Sequence, residues 1–189
     1  YTDDFTDEVK FAEWTIVDNN GDGSTWQRQD GHLAYNYNSS NAADDYAISP
    51  AMKLKAGNLY YVSFVATNSY PTEKVALYAG STPSAEGMTT QLIAPVDITY
   101  QPRQHSLLAA FRPEADGIYY FGIKACSEAD RSTLFVEDFA VEAVPASAPA
   151  KPENLVVAPD SKGGMSATVS FTAPTKTIGG DALTAIDAV

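Results

Sequence analysis

Short runs in which apolar and polar residues alternate recur along the chain, while the i, i+3, i+4 spacing of an amphipathic helix is nearly absent. An all-β protein is therefore expected. The clearest run spans residues 58–67, where Tyr60, Val62, Phe64 and Ala66 fall on one face and Tyr61, Ser63 and Thr67 on the other, with Val65 as the interruption. Side chains alternate across a strand, so this run predicts one buried and one exposed face. Comparable runs at 14–17, 33–37, 74–79, 104–111, 118–125 and 133–141 are separated by turn-forming stretches such as 55–58 and 114–117. Short strands at this spacing predict a β-sandwich or jelly roll.

The run at 133–141 changes phase. Leu134 and Val136 share one parity, Phe139 and Val141 the other, and Glu137 and Asp138 sit at the change. A β-bulge there would restore the buried face and re-aim a carboxylate. Beyond it, Val144 to Pro152 holds three prolines among small residues and reads as an extended linker. The expected organisation is a first domain over 1–145, a Pro/Ala-rich linker over 146–152, and the opening strands of a second β-sandwich over 153–189. Strands are expected in this last part at 153–157, 166–171 and 182–186, too few to bury a core alone. The chain is accordingly expected to stop inside that second domain.

Composition narrows the range of partners. A hydrophobic fraction of 44% supports a packed core, and a formal charge of −12 opposes binding to nucleic acid or to anionic membranes. No membrane insertion is expected, because no run approaches the ~20 apolar residues of a spanning helix. The lone cysteine, Cys126, lies in an apolar run, which excludes an intrachain disulfide and predicts an inert thiol. A G-x-S-x-G elbow, a glycine-rich phosphate loop and an H-E-x-x-H pair are all missing, and His32 and His105 are isolated. The expectation is a binding module, not an enzyme. A hydrolase working through a carboxylate pair is kept as an alternative, since 24 acidic residues leave that chemistry open.

The chemistry of greatest interest lies in Asp18-Asn19-Asn20-Gly21-Asp22-Gly23. Oxygen-bearing side chains at alternate positions followed by glycine form the D-x-N-x-D-G start of many Ca²⁺ loops, because a hard cation takes six to eight oxygen ligands. A helix–loop–helix site would need Glu at the twelfth position, which is Gln29, so that version is rejected. The competing reading is an Asn/Asp/Gly turn formed for local reasons. Asp3, Asp4, Glu137 and Asp138 could complete a shell if the first and last strands lie side by side. For a bound sugar, the candidate aromatic and polar groups are Trp26, Tyr35, Tyr37 and Tyr70, with Arg28 and His32 alongside. Tyr35 and Tyr37 share a strand parity and are expected to form a stacking platform unless they pack inward.

Four blocks carry a resemblance: Phe5; residues 14–26; Asp44-Asp45-Tyr46-Ala47-Ile48-Ser49-Pro50; and Leu134-Phe135-Val136-Glu137-Asp138-Phe139. Over about residues 1–145 they resemble the cleaved-adhesin, or choice-of-anchor, jelly-roll domains of Bacteroidetes surface proteins. The resemblance implies a galactose-binding-like β-sandwich with structural calcium, held by Asp3, by Asp18, Asn20 and Asp22, and by Asp138 with Glu137 beside it. Thr6 stands where relatives often carry Glu. The tail, with Pro152-Glu153-Asn154-Leu155-Val156-Val157 and residues 167–174, looks like the start of a fibronectin type III domain, with Phe171 where Trp is common. The implied role is cell adhesion or carbohydrate binding at an extracellular or cell-surface location, any signal peptide having been removed. The partner would be a host or dietary glycan or a protein, met by a domain monomeric within a larger protein. The alternative is a structural spacer or accessory domain of a larger surface enzyme.

Overall fold

A computed structural model describes residues 1–69, 72–159 and 165–183. Two antiparallel sheets face each other. The first runs β10 (His105–Phe111), β7 (Leu59–Asn68), β12 (Thr133–Val144), β4 (His32–Asn36), β3 (Trp26–Gln29), and β1 (Thr2–Asp3) adds to β12 beyond the end of β4. The second runs β2 (Thr15–Asp18), β5 (Asp45–Ile48), β11 (Gly117–Ala125), β8 (Thr72–Gly80), β9 (Thr90–Thr99), with β6 (Met52–Leu54) beside β11.

The alternation written into the chain becomes the core. In β7, Tyr60, Val62, Phe64 and Ala66 are all buried, as their parity predicts. They meet Leu77, Phe121 and Ile123 of the opposite sheet within one continuous cluster. Aromatic edges set the packing at two ends, with Trp14 against Phe139 at 5.1 Å and Phe111 against Phe121 at 5.5 Å. Each such side chain contributes about 1.5–3 kcal/mol by leaving water.

The phase change in β12 is a bulge. Its register against β7 shifts between Glu137 and Ala140, and Asp138 takes a φ of 53°. Leu134, Val136, Phe139 and Val141 are thereby all buried despite their opposite parities. The first and last strands of the sandwich also lie side by side, with Thr2 opposite Ala140 and Asp3 opposite Phe139.

Several elements differ from the sequence expectation. The single-turn helix α1 (Glu8–Phe11), capped by the Asp7 carboxylate, is too short to show a 3.6-residue period. Strand β9 carries Pro95, which an edge strand tolerates because one side of it needs no partner. Strand β5 does not alternate, since all four of its residues are buried. Its outer face is covered by residues 81–89, whose Met88 packs on Tyr46 and Ile48. A Cβ on Gly122 would lie 2.8 Å from the Met88 sulfur, so glycine is what lets this segment seat on the sheet.

The Pro-rich stretch is hydrogen-bonded. Ala150 N–H donates to Lys176 O (2.9 Å), Ile178 N–H to Ala148 O (2.8 Å) and Gly179 N–H to Ala146 O (2.8 Å), so residues 176–179 turn back onto it. Strands β13 (Glu153–Pro159) and β14 (Ala167–Thr172) form a separate two-stranded ladder whose residues are all exposed. Most of the strand expected at 182–186, and Tyr70, lie outside the described residues.

One buried acid at the end of the sandwich supports a pH prediction. Glu73 is fully buried; one oxygen accepts Ser132 N–H at 2.5 Å, and Oε2 has no partner among the described residues. Burial raises its pKa although Ser127, the Ser132 amide and the Arg131 charge all favour the anion. A carboxyl raised in the folded state stabilises most below its unfolded pKa, and that contribution is lost as pH rises through the folded value. Glu73→Gln keeps the acceptor for Ser132. Its stability relative to the parent is expected to improve from pH 4.5 to pH 8, read as urea midpoints. A constant difference would contradict the assignment.

Candidate metal centre and binding face

Asp18 ends β2 and lies directly opposite Asp45 of β5 in the ladder. Like charges facing each other across a sheet are destabilising unless something compensates them. The following loop turns around the Asp18 carboxylate. Oδ1 accepts Gly21 N–H (2.7 Å) and Asp22 N–H (3.2 Å), and Oδ2 accepts Gly23 N–H (2.8 Å). Gly21 and Gly23 have φ values of 70° and 82°, which explains glycine at both positions. Asn20 donates to Ala42 O (2.8 Å) and to Asp22 Oδ2 (3.2 Å), and Asp22 Oδ1 accepts Ser24 N–H (2.8 Å).

Charged partners tie this loop to the second sheet. Asn19 donates to Asp44 (2.7 Å), and Lys124 meets the other Asp44 oxygen at 2.5 Å while lying 5.1 Å from the Tyr46 ring centre. Burial alone would raise Asp44, but the hydrogen bonds from Lys124 and Asn19 outweigh it and hold the carboxyl below its usual range. Asp45 differs. It is fully buried, Oδ2 accepts Asp44 N–H (3.1 Å), and Oδ1 has no hydrogen-bond partner among the described residues. The Tyr35 hydroxyl lies near enough to this carboxylate to favour its charged form, and Thr25 Oγ1 is buried without a hydrogen-bond partner among the described residues. Burial, helped by the Asp18 and Asp22 charges, pushes Asp45 up to about 6 against the opposing effects of the Asp44 amide and the Tyr35 hydroxyl.

The structure divides the six residues expected to bind metal. Asp18, Asn20 and Asp22 stand together in the loop. Asp3 lies elsewhere, fully buried, accepting from Phe5 N–H (2.9 Å), Tyr1 Oη (3.0 Å) and Trp14 Nε1 (2.8 Å). Trp14 precedes Asp18 by four residues, roughly 13 Å of strand. Asp138 lines a small cleft with Asp3, Asp4 and Lys10. Glu137 sits 3.3 Å from His32 Nδ1. Among the described residues no three His, Cys, Asp or Glu side chains converge as a ready-made metal cluster.

The proposed stacking residues are corrected. Trp26 and Tyr35 are 2% and 1% exposed, pack edge to face at 5.7 Å, and point into the core, so neither can meet a sugar. Trp26 Nε1 instead donates to Asp45 O (3.1 Å). Arg28 is spent on the N-terminal segment, donating to Phe5 O (2.8 Å) and Thr6 O (2.6 Å). Tyr37 is exposed, but it stands beyond the end of β4 without Tyr35 as a neighbouring platform. Cys126 is half-buried, and burial pushes its thiol up to about 11, leaving it protonated at neutral pH.

Asp45 is the residue that sequence reasoning passed over. It lay in a quoted block, yet its burial and its position opposite Asp18 depend on strand register.

Two facing antiparallel sheets, with a bulged last strand joined to the first, define a jelly-roll β-sandwich. It is the fold of the cleaved adhesin domains of Lys-gingipain and of carbohydrate-binding modules. The K1 cleaved adhesin domain of Lys-gingipain from Porphyromonas gingivalis superposes with a TM-score of 0.61 at 18% identity, covering 77% of this chain and 98% of that one. The K3 domain of the same protein gives 0.55 at 19% identity, over 75% of this chain and 97% of that one. A CBM22-1 xylan-binding domain from Paenibacillus barcinonensis gives 0.53 at 12% identity, over 77% and 94%. No family model matches the chain, and no curated protein matches it in sequence.

Proposed function

We propose that residues 1–145 form an adhesion or carbohydrate-binding module of an exported bacterial surface protein, stabilised by structural calcium and without catalytic activity of its own. The sandwich carries this reading, since adhesin and xylan-binding domains superpose on it over nearly their whole length. Among the described residues no helix is long and apolar enough to cross a membrane.

The orphaned Asp45 Oδ1 supports the metal. It is a buried oxygen of the residue paired with Asp18 in the ladder, within reach of the Asp18 and Asp22 charges, and Asp and Asn oxygens are the donors a hard cation takes. Calcium held there would neutralise the Asp18/Asp45 pair and tie the loop to β5. Asp3 would act separately, as a buried acceptor closing the first strand against the last.

A glycan array with the folded protein, in calcium, tests the binding role. Saturable binding to a defined class of saccharide is expected. A clean absence of binding, with the fold intact, favours the spacer role, and turnover of a glycoside panel would favour the hydrolase alternative.

A further inference from the structure

The two sheets differ in what covers their outer faces. Residues 81–89 cap the second sheet, whereas the register of the first leaves Gln27, His32, Phe135, Glu137 and Thr67 facing outward with no segment of the described chain packed across them. At one end of this bare face the β9–β10 loop rises beside the sheet and encloses an open groove of about 650 Å³. The groove is lined by Thr67, Asn68, Tyr100, Arg103, Gln104 and Phe135.

Its chemistry is selective. Phe135 lies half-buried, with the His32 ring edge-on at 5.8 Å, and Tyr100 as a residue is 40% exposed. The Arg103 guanidinium lies 5.5 Å from the centre of the Tyr100 ring and donates to its hydroxyl at 3.2 Å. Thr99 N–H donates to His105 Nε2 at 3.1 Å, tying the start of the loop to the strand after it. Aromatic faces stack on the C–H faces of a pyranose, and amide and hydroxyl groups match its hydroxyls. No carboxylate lines the groove, and none pairs with Arg103 among the described residues. A planar guanidinium with no acidic partner among the described residues, in a chain of net charge −12, marks a point where local geometry favours an anion against the overall field.

We propose that this groove binds glycans bearing a carboxylated sugar, with Arg103, held by Tyr100, taking the carboxylate and Phe135 meeting the sugar ring. The assignment rests on the glycan-binding reading above. A uronic acid and a sialic acid share this chemistry.

Calorimetric titration at 50 mM salt with trigalacturonic acid and sialyllactose, against galactotriose and lactose as neutral counterparts, tests it. At least one acidic saccharide is expected to bind about tenfold more tightly than its neutral counterpart, as befits one charge-assisted hydrogen-bonded contact. That preference should shrink at 0.5 M salt. Arg103→Gln should abolish the preference, Tyr100→Ala should reduce it by freeing Arg103, and Phe135→Ala should weaken binding generally. Equal binding of neutral sugars, or a preference that survives Arg103→Gln, overturns the groove assignment and leaves the glycan reading standing. No binding of any of the four saccharides overturns the groove assignment, and a blank glycan array besides overturns the glycan reading as well.

Discussion

Stripping calcium with excess chelator is expected to lower the melting temperature of the module by about 5–10 °C relative to the protein in millimolar calcium. A ligand present at a hundred times its Kd adds about 2.7 kcal/mol to the folded state, and a domain of this size shifts by about 2–4 °C per kcal/mol. Asp45→Asn makes the prediction specific, because its effect should change sign with the metal. In chelator the variant removes a fully buried carboxylate placed opposite Asp18, and it should melt at or above the parent. In calcium it removes a buried ligand, and it should melt below the parent. The pH dependence of the stripped protein follows from the same carboxyl. Its pKa is raised from an ordinary 3.8 to about 6 in the folded state. The stripped parent should therefore gain stability relative to Asp45→Asn as pH falls from about 6 toward about 4, and lose it again above pH 6. A melting temperature indifferent to chelator, in protein shown by elemental analysis to be metal-free, would sink the calcium reading.

Asp3→Ala is expected to cost about 3–5 kcal/mol and to lower the melting temperature by roughly 6–20 °C, whether or not calcium is present. The Asp3 carboxylate accepts three hydrogen bonds, from the Phe5 amide, the Tyr1 hydroxyl and the Trp14 indole. Two of these are buried, and alanine would leave their donors unpaired in the core. The loss falls at a structural junction. Trp14 packs on both Phe5 and Phe139, and the Asp3 backbone pairs with Phe139 of the last strand. Asp3→Asn retains one acceptor and should lose less. Urea unfolding followed by tryptophan fluorescence measures both variants, and a cost below about 1 kcal/mol for Asp3→Ala would show that water replaces the carboxylate. Insensitivity of this cost to calcium separates Asp3 from the metal loop.

The contrast between these carboxylates shows how much of the site could be read in advance. Asp18, Asn20 and Asp22 were legible because a turn is a local object: side-chain oxygens at alternate positions and glycines with positive φ depend on a few adjacent residues. Asp3, Glu137 and Asp138 were legible as acids near the first and last strands, but their destinations were not. Asp3 became an internal acceptor, Asp138 went to the cleft beside it, and Glu137 went to His32 on the outer face. Trp26 and Tyr35 show the same limit, since aromatics suited to stacking a sugar are equally suited to the core.

By itself the sequence determined the β class, the buried face of β7, the bulge in β12 and the turn at Asp18. Each follows from side-chain parity or backbone preference within a few residues. The tertiary structure alone decided that Asp45 faces Asp18, that Trp26 and Tyr35 point inward, and that one sheet is capped by residues 81–89 while the other stays open. Those outcomes depend on which distant strands become neighbours and in what register. A one-residue slip would exchange every inner side chain for an outer one, so the pairing is set by the whole core and not by any local run.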